Sequence, residues 1–239
     1  NRVISLLNSG EKVLGFEEFI QVKINQFYGI EINDFAVTVA KTALWIAESQ
    51  MISETEQIVS QTIDFLPLTT NAFIVEGNAL RMDWATLQPL DPTAMPADGL
   101  FAAFTTQVDG TAHHYDYIMG NPPFVGIRHS DKKHRNDLDQ VLSVIPKAGS
   151  LDYVSAWYVK AAQMIQKDTH IRATFVSTNS IVQGEQAYTL WHYVFSLGLH
   201  IDFAWQTFKW ENETADKGNM ATVHCVVIGF SVAKRKKPK

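Results

Sequence analysis

An α/β fold with a mostly parallel sheet is what this sequence predicts, and two observations predict it. Short apolar runs of strand length alternate with longer stretches of helical periodicity, the pattern of strands joined by crossover helices. A rigid Asn121-Pro122-Pro123-Phe124 turn follows directly on one of those runs, where open α/β sheets place their ligands. The composition permits such a fold. Of 239 residues, 46% are apolar and 19% charged, enough to bury a core and inconsistent with a disordered or collagen-like chain.

Taken in order, residues 3–9 and 16–25 read as the ends of helical segments. Residues 26–32 form a short buried strand. Asn33 or Asp34 caps the helix after it, because a short side-chain oxygen accepts from the free N–H groups of a first turn. Ala36, Val39, Ala40, Ala43, Leu44 and Ala47 recur at helical spacing and predict one apolar stripe against a core. A second strand covers 73–75 and ends at Glu76-Gly77-Asn78. Residues 85–113, with Pro, Asp, Gly and Thr throughout, read as a long surface insertion. The third strand, 115–119, runs into Gly120. Residues 126–150 are polar and read as a long loop, with at most one loose helix. Residues 152–167 are helical, with Val154, Trp157, Tyr158, Ala161, Ala162 and Ile165 on the buried side. A fourth strand spans 172–177. A helix from 185 to 197 is closed by Gly198, the usual residue past a helix end. Residues 201–208 and 223–232 are the last two strands. The polar stretch 211–219 between them is short enough for a hairpin, so the last strand is expected to run antiparallel.

The net charge of −5 is unevenly placed. Five of the 20 basic residues are Lys234, Arg235, Lys236, Lys237 and Lys239, which leaves 15 against 25 acidic residues elsewhere. A body so acidic is a poor stand-alone binder of phosphate backbones, so most of the grip on any nucleic acid is expected from outside it. The basic tail reads as a solvated end. No apolar run approaches the ~20 residues of a membrane span. Asn1 opens the chain without an initiator Met or a leader, and the start is expected to be a cut within a longer polypeptide. The single cysteine, Cys225, excludes an internal disulfide and fits a cytoplasmic protein; it lies in an apolar strand and reads as buried and inert. His113, His114, His129 and His134 have no carboxylate or Cys at ligand spacing and read as surface residues, so no metal is expected. Lys132, Lys133 and Arg135 fit either phosphate contact or a solvated loop.

The turn at 121–124 carries the chemistry. Two successive prolines fix φ and remove two backbone donors. What they leave are acceptors, the Asn121 amide oxygen and the Pro122 carbonyl, which together suit an exocyclic NH2 with two protons to give. Phe124 adds a flat apolar face for a base to stack on. The matching reaction is N-methylation of an aromatic amine, whose lone pair is delocalised into its ring. Two hydrogen bonds accepted from the amine favour a more pyramidal nitrogen and return that lone pair to it, and no strong general base is required. A plain Asn-Pro turn with a buried Phe is the other reading of the same four residues.

Four segments resemble, in order and spacing, the motifs of adenine-N6 DNA methyltransferases of the MmeI-like branch. They are residues 27–33 (FYGIEIN), 76–80 (EGNAL), 117–124 (YIMGNPPF) and 177–184 (STNSIVQG). Residues 201–205 (IDFAW) and 208–210 (FKW) follow the last of these, and together they point to this branch of large bacterial restriction–modification or defence enzymes.

The resemblance implies a three-layer, Rossmann-like methyltransferase fold over one partial catalytic domain, 1–239. The cofactor it implies is S-adenosyl-L-methionine (SAM) and the partner double-stranded DNA, with no membrane. Glu31 would accept from the ribose hydroxyls of SAM. Asn78, where many relatives have Asp, would hold its adenine, with Ile32 and Ala79 as apolar neighbours. Asn121, Pro122 and Phe124 would be catalytic, and Asn121 would also face the cofactor. Pro123, Phe124 and Trp210 would contact the flipped base, and residues 126–150 would flank it. Asn179 and Gln183 would line the site. Tyr153 and Trp157 would line the donor pocket or pack as helical core. The branch's Gly-rich SAM turn has no counterpart before Tyr28, nor do its central strand and recognition domain appear, so the piece alone is expected to be inactive. Methylation of RNA or of a protein glutamine amide, and a binding module that keeps the fold without turnover, are the alternative functions. Neither the oligomeric state nor the DNA sequence recognised is legible.

Overall fold

The computed structural model describes residues 22–59, 72–87, 114–210 and 223–232. It divides into two compact units, one within residues 1–112 and one within 113–239. The expected helical ends at 3–9 and 16–21, most of the insertion at 85–113, the hairpin connection and the basic tail lie outside the described residues.

In the first unit, β1 (Tyr28–Glu31) and β2 (Phe73–Glu76) pair in parallel, Tyr28 opposite Phe73 and Glu31 opposite Glu76. Helix α1 (Asp34–Val59) packs on this ladder. Asn33 caps it as expected, its Oδ1 accepting from the Ala36 N–H at 2.9 Å. The apolar stripe is phased differently from expectation. Val37, Ala40, Leu44 and Trp45 pack against Ile24, Ala72 and Ile74, whereas Val39, Ala43 and Ala47 are exposed. Trp45 is the reason: burying its ring outweighs burying alanine methyls, and it rotates the helix toward 37, 40, 44 and 45.

The second unit holds a four-stranded sheet in the order β3-β4-β6-β5. Its strands are β3 (Tyr117–Gly120), β4 (Arg172–Thr178), β5 (His200–Trp210) and β6 (Val223–Ser231). β3 and β4 are parallel, and β6 runs antiparallel to both β4 and β5. β3, β4 and β5 therefore share one direction, and the expected antiparallel last strand is inserted between β4 and β5. Three helices accompany the sheet: α2 (Lys132–Leu142), α3 (Ser155–Lys167) and α4 (Gly184–Ser196).

The core of this unit lies between α3, α4 and one face of the sheet. Tyr158 of α3 is fully buried, its ring stacked on Phe230 (centroids 5.5 Å) and edge-on to Phe175 and Trp191. Its hydroxyl shares a 2.6 Å hydrogen bond with Ser177 Oγ, and burial pushes the phenol well above its ordinary pKa. Trp191 Nε1 donates to the Ile181 carbonyl at 2.9 Å. Ile165, Ile181, Leu190 and Ile228 are fully buried in the same unit. Helix α4 ends as expected, with Gly198 at φ +82°, a left-handed conformation that glycine adopts without steric cost.

Three expectations for 126–167 are corrected. Residues 132–142 form a regular helix, because Asp131 accepts from the His134 N–H at 2.8 Å and Leu138 and Leu142 anchor it in the core. Helix α3 begins at Ser155 and not at Asp152, since the Asp152 side chain is engaged elsewhere. His134 is half-buried, its ring edge-on to Tyr153 at 4.7 Å, and so is not a surface residue. Cys225 is buried, and burial raises its thiol pKa. No described helix is long and apolar enough to cross a membrane.

Candidate active site

Asn121 follows Gly120, the last residue of β3, at the carboxyl edge of the second unit's sheet. Gly120 lies opposite Phe175, and a Cβ there would meet the Phe175 ring at 3.5 Å, an ordinary van der Waals contact. Asn121 is exposed. Among the described residues neither its amide nor the Pro122 carbonyl has a hydrogen-bond partner. Pro122 is buried, Pro123 exposed and Phe124 half-buried. The turn thus has a buried proline as its root and an unengaged amide at its tip.

Two other predicted residues fall on the same carboxyl edge, because β4 and β5 run in the direction of β3. Asn179 opens the short turn Asn179–Val182 directly after β4 and is half-buried. Trp210 ends β5, opposite Val223, about 40% exposed and tilted against Phe208. Gln183 precedes α4 and is exposed.

Glu31 and Asn78 belong to the first unit and meet at the carboxyl end of its ladder. Gly77 N–H donates to the Glu31 carbonyl at 2.7 Å, which ties the two strand ends together. Glu31 is half-buried and Ile32 about 65% exposed. Asn78 closes a tight turn. Its Oδ1 accepts from the Leu80 N–H at 2.9 Å, and its carbonyl from Arg81 and Met82. An amide oxygen has two lone pairs, so this bond by itself does not bar a second donor. The Ala79 carbonyl accepts from Trp84 Nε1 at 2.7 Å. A carboxylate and an amide at adjoining strand ends, with apolar Ile32 and Ala79 next to them in sequence, are acceptors suited to a ribosyl-adenine group.

The segment after the motif is held to the start of α3. Tyr153 N–H donates to the Val125 carbonyl at 3.1 Å, and Ile127 N–H donates to Asp152 Oδ1 at 3.0 Å. Tyr153 is buried, its hydroxyl donating to Asp137 Oδ2 at 3.0 Å and its ring edge-on to the half-buried Trp157. These contacts favour the packing reading of Tyr153. Asp152 is a residue the sequence reading missed. Its partner lies 25 positions away, and the only local signal is an Asp three residues before a helix that it does not cap.

A cavity of about 490 Å³ opens beside Ile127, walled by Leu138, Leu142, Ile145 and Leu151, with Arg135 and Asp139 also in its wall. Phe124 is not among its lining residues. Among the described residues no three His, Cys, Asp or Glu side chains gather as metal ligands.

A sheet with an antiparallel last strand inserted beside its parallel strands, and Asn-Pro-Pro-Phe at a parallel strand's carboxyl end, is a Rossmann-like methyltransferase architecture. Comparison with known proteins makes the assignment specific. Residues 3–239 match the family described as "MmeI, DNA-methyltransferase domain", and the chain belongs to this family. It is 36% identical over 229 residues to "DNA methyltransferase A" of Bacillus subtilis (strain 168), covering 95% of this chain and 23% of that protein. Its structure is similar to that of the type IIL restriction-modification enzyme MmeI in complex with DNA. The TM-score is 0.75 at 37% identity, covering 96% of this chain and 27% of the other. The chain thus spans about a quarter of the length of either relative.

Proposed function

We propose that this chain is the catalytic part of an enzyme that methylates the N6 amine of adenine in double-stranded DNA with SAM as donor. The whole enzyme is a larger restriction–modification or phage-defence protein of the bacterial cytoplasm. The observation that carries this reading is the turn at the end of β3, with Asn121 exposed and without a partner among the described residues, and the half-buried Phe124 three residues on. Membership of a DNA-methyltransferase domain family supports it, as does the DNA complex of the structural relative.

In this reading Asn121 Oδ1 and the Pro122 carbonyl accept the two amine protons of an extruded adenine. The adenine stacks on Phe124, and Trp210 borders it. Positive charge develops on the NH2 group as its lone pair attacks the methyl, so the hydrogen bonds it donates to these acceptors strengthen toward the transition state. Rigidity is what the prolines contribute, since an acceptor that need not reorganise stabilises charge more effectively. Glu31 holds the ribose hydroxyls of the donor and Asn78 its adenine, with Ile32 and Ala79 against the ring. When bound, the donor supplies an electrophilic methyl group on a sulfonium. Methyl transfer would leave the donor as a neutral thioether and the amine positively charged, and that cationic amine would then lose its surplus proton to solvent, consistent with a motif that has no base.

The test is a panel of unmethylated DNA, RNA and cell protein incubated with the full-length protein and radiolabelled SAM, followed by digestion. Label recovered as N6-methyldeoxyadenosine is the expected result. Label confined to RNA or to glutamine would move the reading to those substrates. DNA binding without label would make the protein a binding module.

A further inference from the structure

We infer that Asp152 is a positioning residue for the Asn121–Phe124 turn, an inference that rests on the methyltransferase reading above. Sequence rules would give an Asp at this place to the helix it precedes, as a cap. The structure directs it otherwise. Helix α3 has no side-chain cap, and Asp152 Oδ1 accepts instead from the Ile127 N–H at 3.0 Å, three residues past Phe124. The adjoining Tyr153 N–H donates to the Val125 carbonyl at 3.1 Å, one residue past Phe124. The strand exit is thus pinned at two points within three residues.

The pins themselves are fixed. Asp152 is only 8% exposed, and its own N–H donates to Gln186 Oε1 of α4 at 3.1 Å. Tyr153 is tied through its hydroxyl to Asp137 of α2. Three helices therefore converge on two backbone groups of one short segment. β3 fixes the turn on its upstream side and this clamp fixes it downstream. Without the Asp152 bond, the Ile127 N–H has no acceptor in its place, and the segment carrying Phe124 is held at Val125 alone. A displacement of about 1 Å at a reacting centre lowers a rate about 100-fold, and that is the size of effect expected here.

The experiment uses the full-length protein with Asp152→Ala, Asp152→Asn and Gln186→Ala, reading single-turnover methylation at saturating DNA, SAM affinity, and hydrogen exchange of the Ile127 amide. Asp152→Ala is expected to lower the methylation rate about 100-fold, to leave SAM affinity unchanged and to deprotect Ile127. Asp152→Asn keeps an acceptor oxygen and is expected to restore both rate and protection. Gln186→Ala loosens the clamp without touching Asp152's carboxyl group. It is expected to give a smaller loss of rate with a smaller deprotection of Ile127, which covers the case in which Asp152→Ala does not fold. Wild-type methylation with Asp152→Ala or Gln186→Ala at the wild-type rate overturns the positioning role alone. So does an Asn variant as slow as the Ala variant, since charge and not the acceptor would then matter. Failure of the wild type to methylate anything overturns the underlying methyltransferase reading.

Discussion

Replacing Asn121 by alanine separates chemistry from folding. Asn121 is exposed and its amide has no partner among the described residues, so its removal breaks no hydrogen bond among them. A surface substitution of this kind changes stability by about 0.5 kcal/mol or less. Its effect on the reaction is of another order. A preorganised hydrogen bond to developing transition-state charge is worth about 2.7–4 kcal/mol, which is about 10²–10³ in rate. The assay is single-turnover transfer of labelled methyl to DNA by the full-length protein, beside a urea unfolding curve of the same sample. The expected pair of results is a rate reduced about 100-fold or more with an unchanged unfolding midpoint. Phe124→Ala is the companion variant. Losing one base–aromatic stack weakens productive DNA binding by about 1–3 kcal/mol, so its defect falls partly on the DNA dependence of the rate. A near-wild-type rate for Asn121→Ala, or an equal loss of rate and stability, would refute the reasoning.

Three further outcomes concern the fold. Tyr158→Phe removes one partner of the buried 2.6 Å bond to Ser177 Oγ and leaves that oxygen unsatisfied, so a loss of about 1–3 kcal/mol is expected in denaturant unfolding. Gly198→Ala meets no neighbouring atom, so its cost is the left-handed backbone alone, about 1–2 kcal/mol; Lys147→Gly, at the non-glycine φ of +61°, is expected to stabilise by a similar mechanism, and equal midpoints for the two variants would contradict both. Asp131 has its pKa lowered, first by the His134 backbone N–H, so its contribution is complete above the usual carboxylate value near 4 and is lost as pH falls through the lower, folded value. Asp131→Asn should therefore flatten the acid limb of stability below about pH 4, as read from urea midpoints between neutral and acid pH.

How much of this was legible in the sequence varied with the range of the interaction involved. All six strands among the described residues stood out as apolar runs, and Asn33 and Gly198 marked helix ends by strictly local chemistry. The phase of α1 was not legible, because alanines at 36, 40, 43 and 47 carry too little apolar area to decide which face is inward, and a single tryptophan does. Helix α2 was hidden by its polar composition; only Asp131 and the pair Leu138 and Leu142 announced it. The insertion of β6 between β4 and β5 depends on pairing between distant residues, which local pattern does not encode, although the expectation of an antiparallel last strand was sound. At the candidate site, the turn at 121–124 was legible because proline fixes geometry locally. The acceptor at Asp152 was not, since its donor is 25 residues away.

An amine held between two oxygen atoms at the end of β3 is the centre of the proposed mechanism. A structure of the full-length protein with duplex DNA and a non-reactive SAM analogue tests it most directly. An extruded adenine with N6 within about 3.2 Å of both Asn121 Oδ1 and the Pro122 carbonyl, its ring parallel to Phe124, is the predicted result. A target base bound elsewhere, or one whose amine faces neither oxygen, would contradict it.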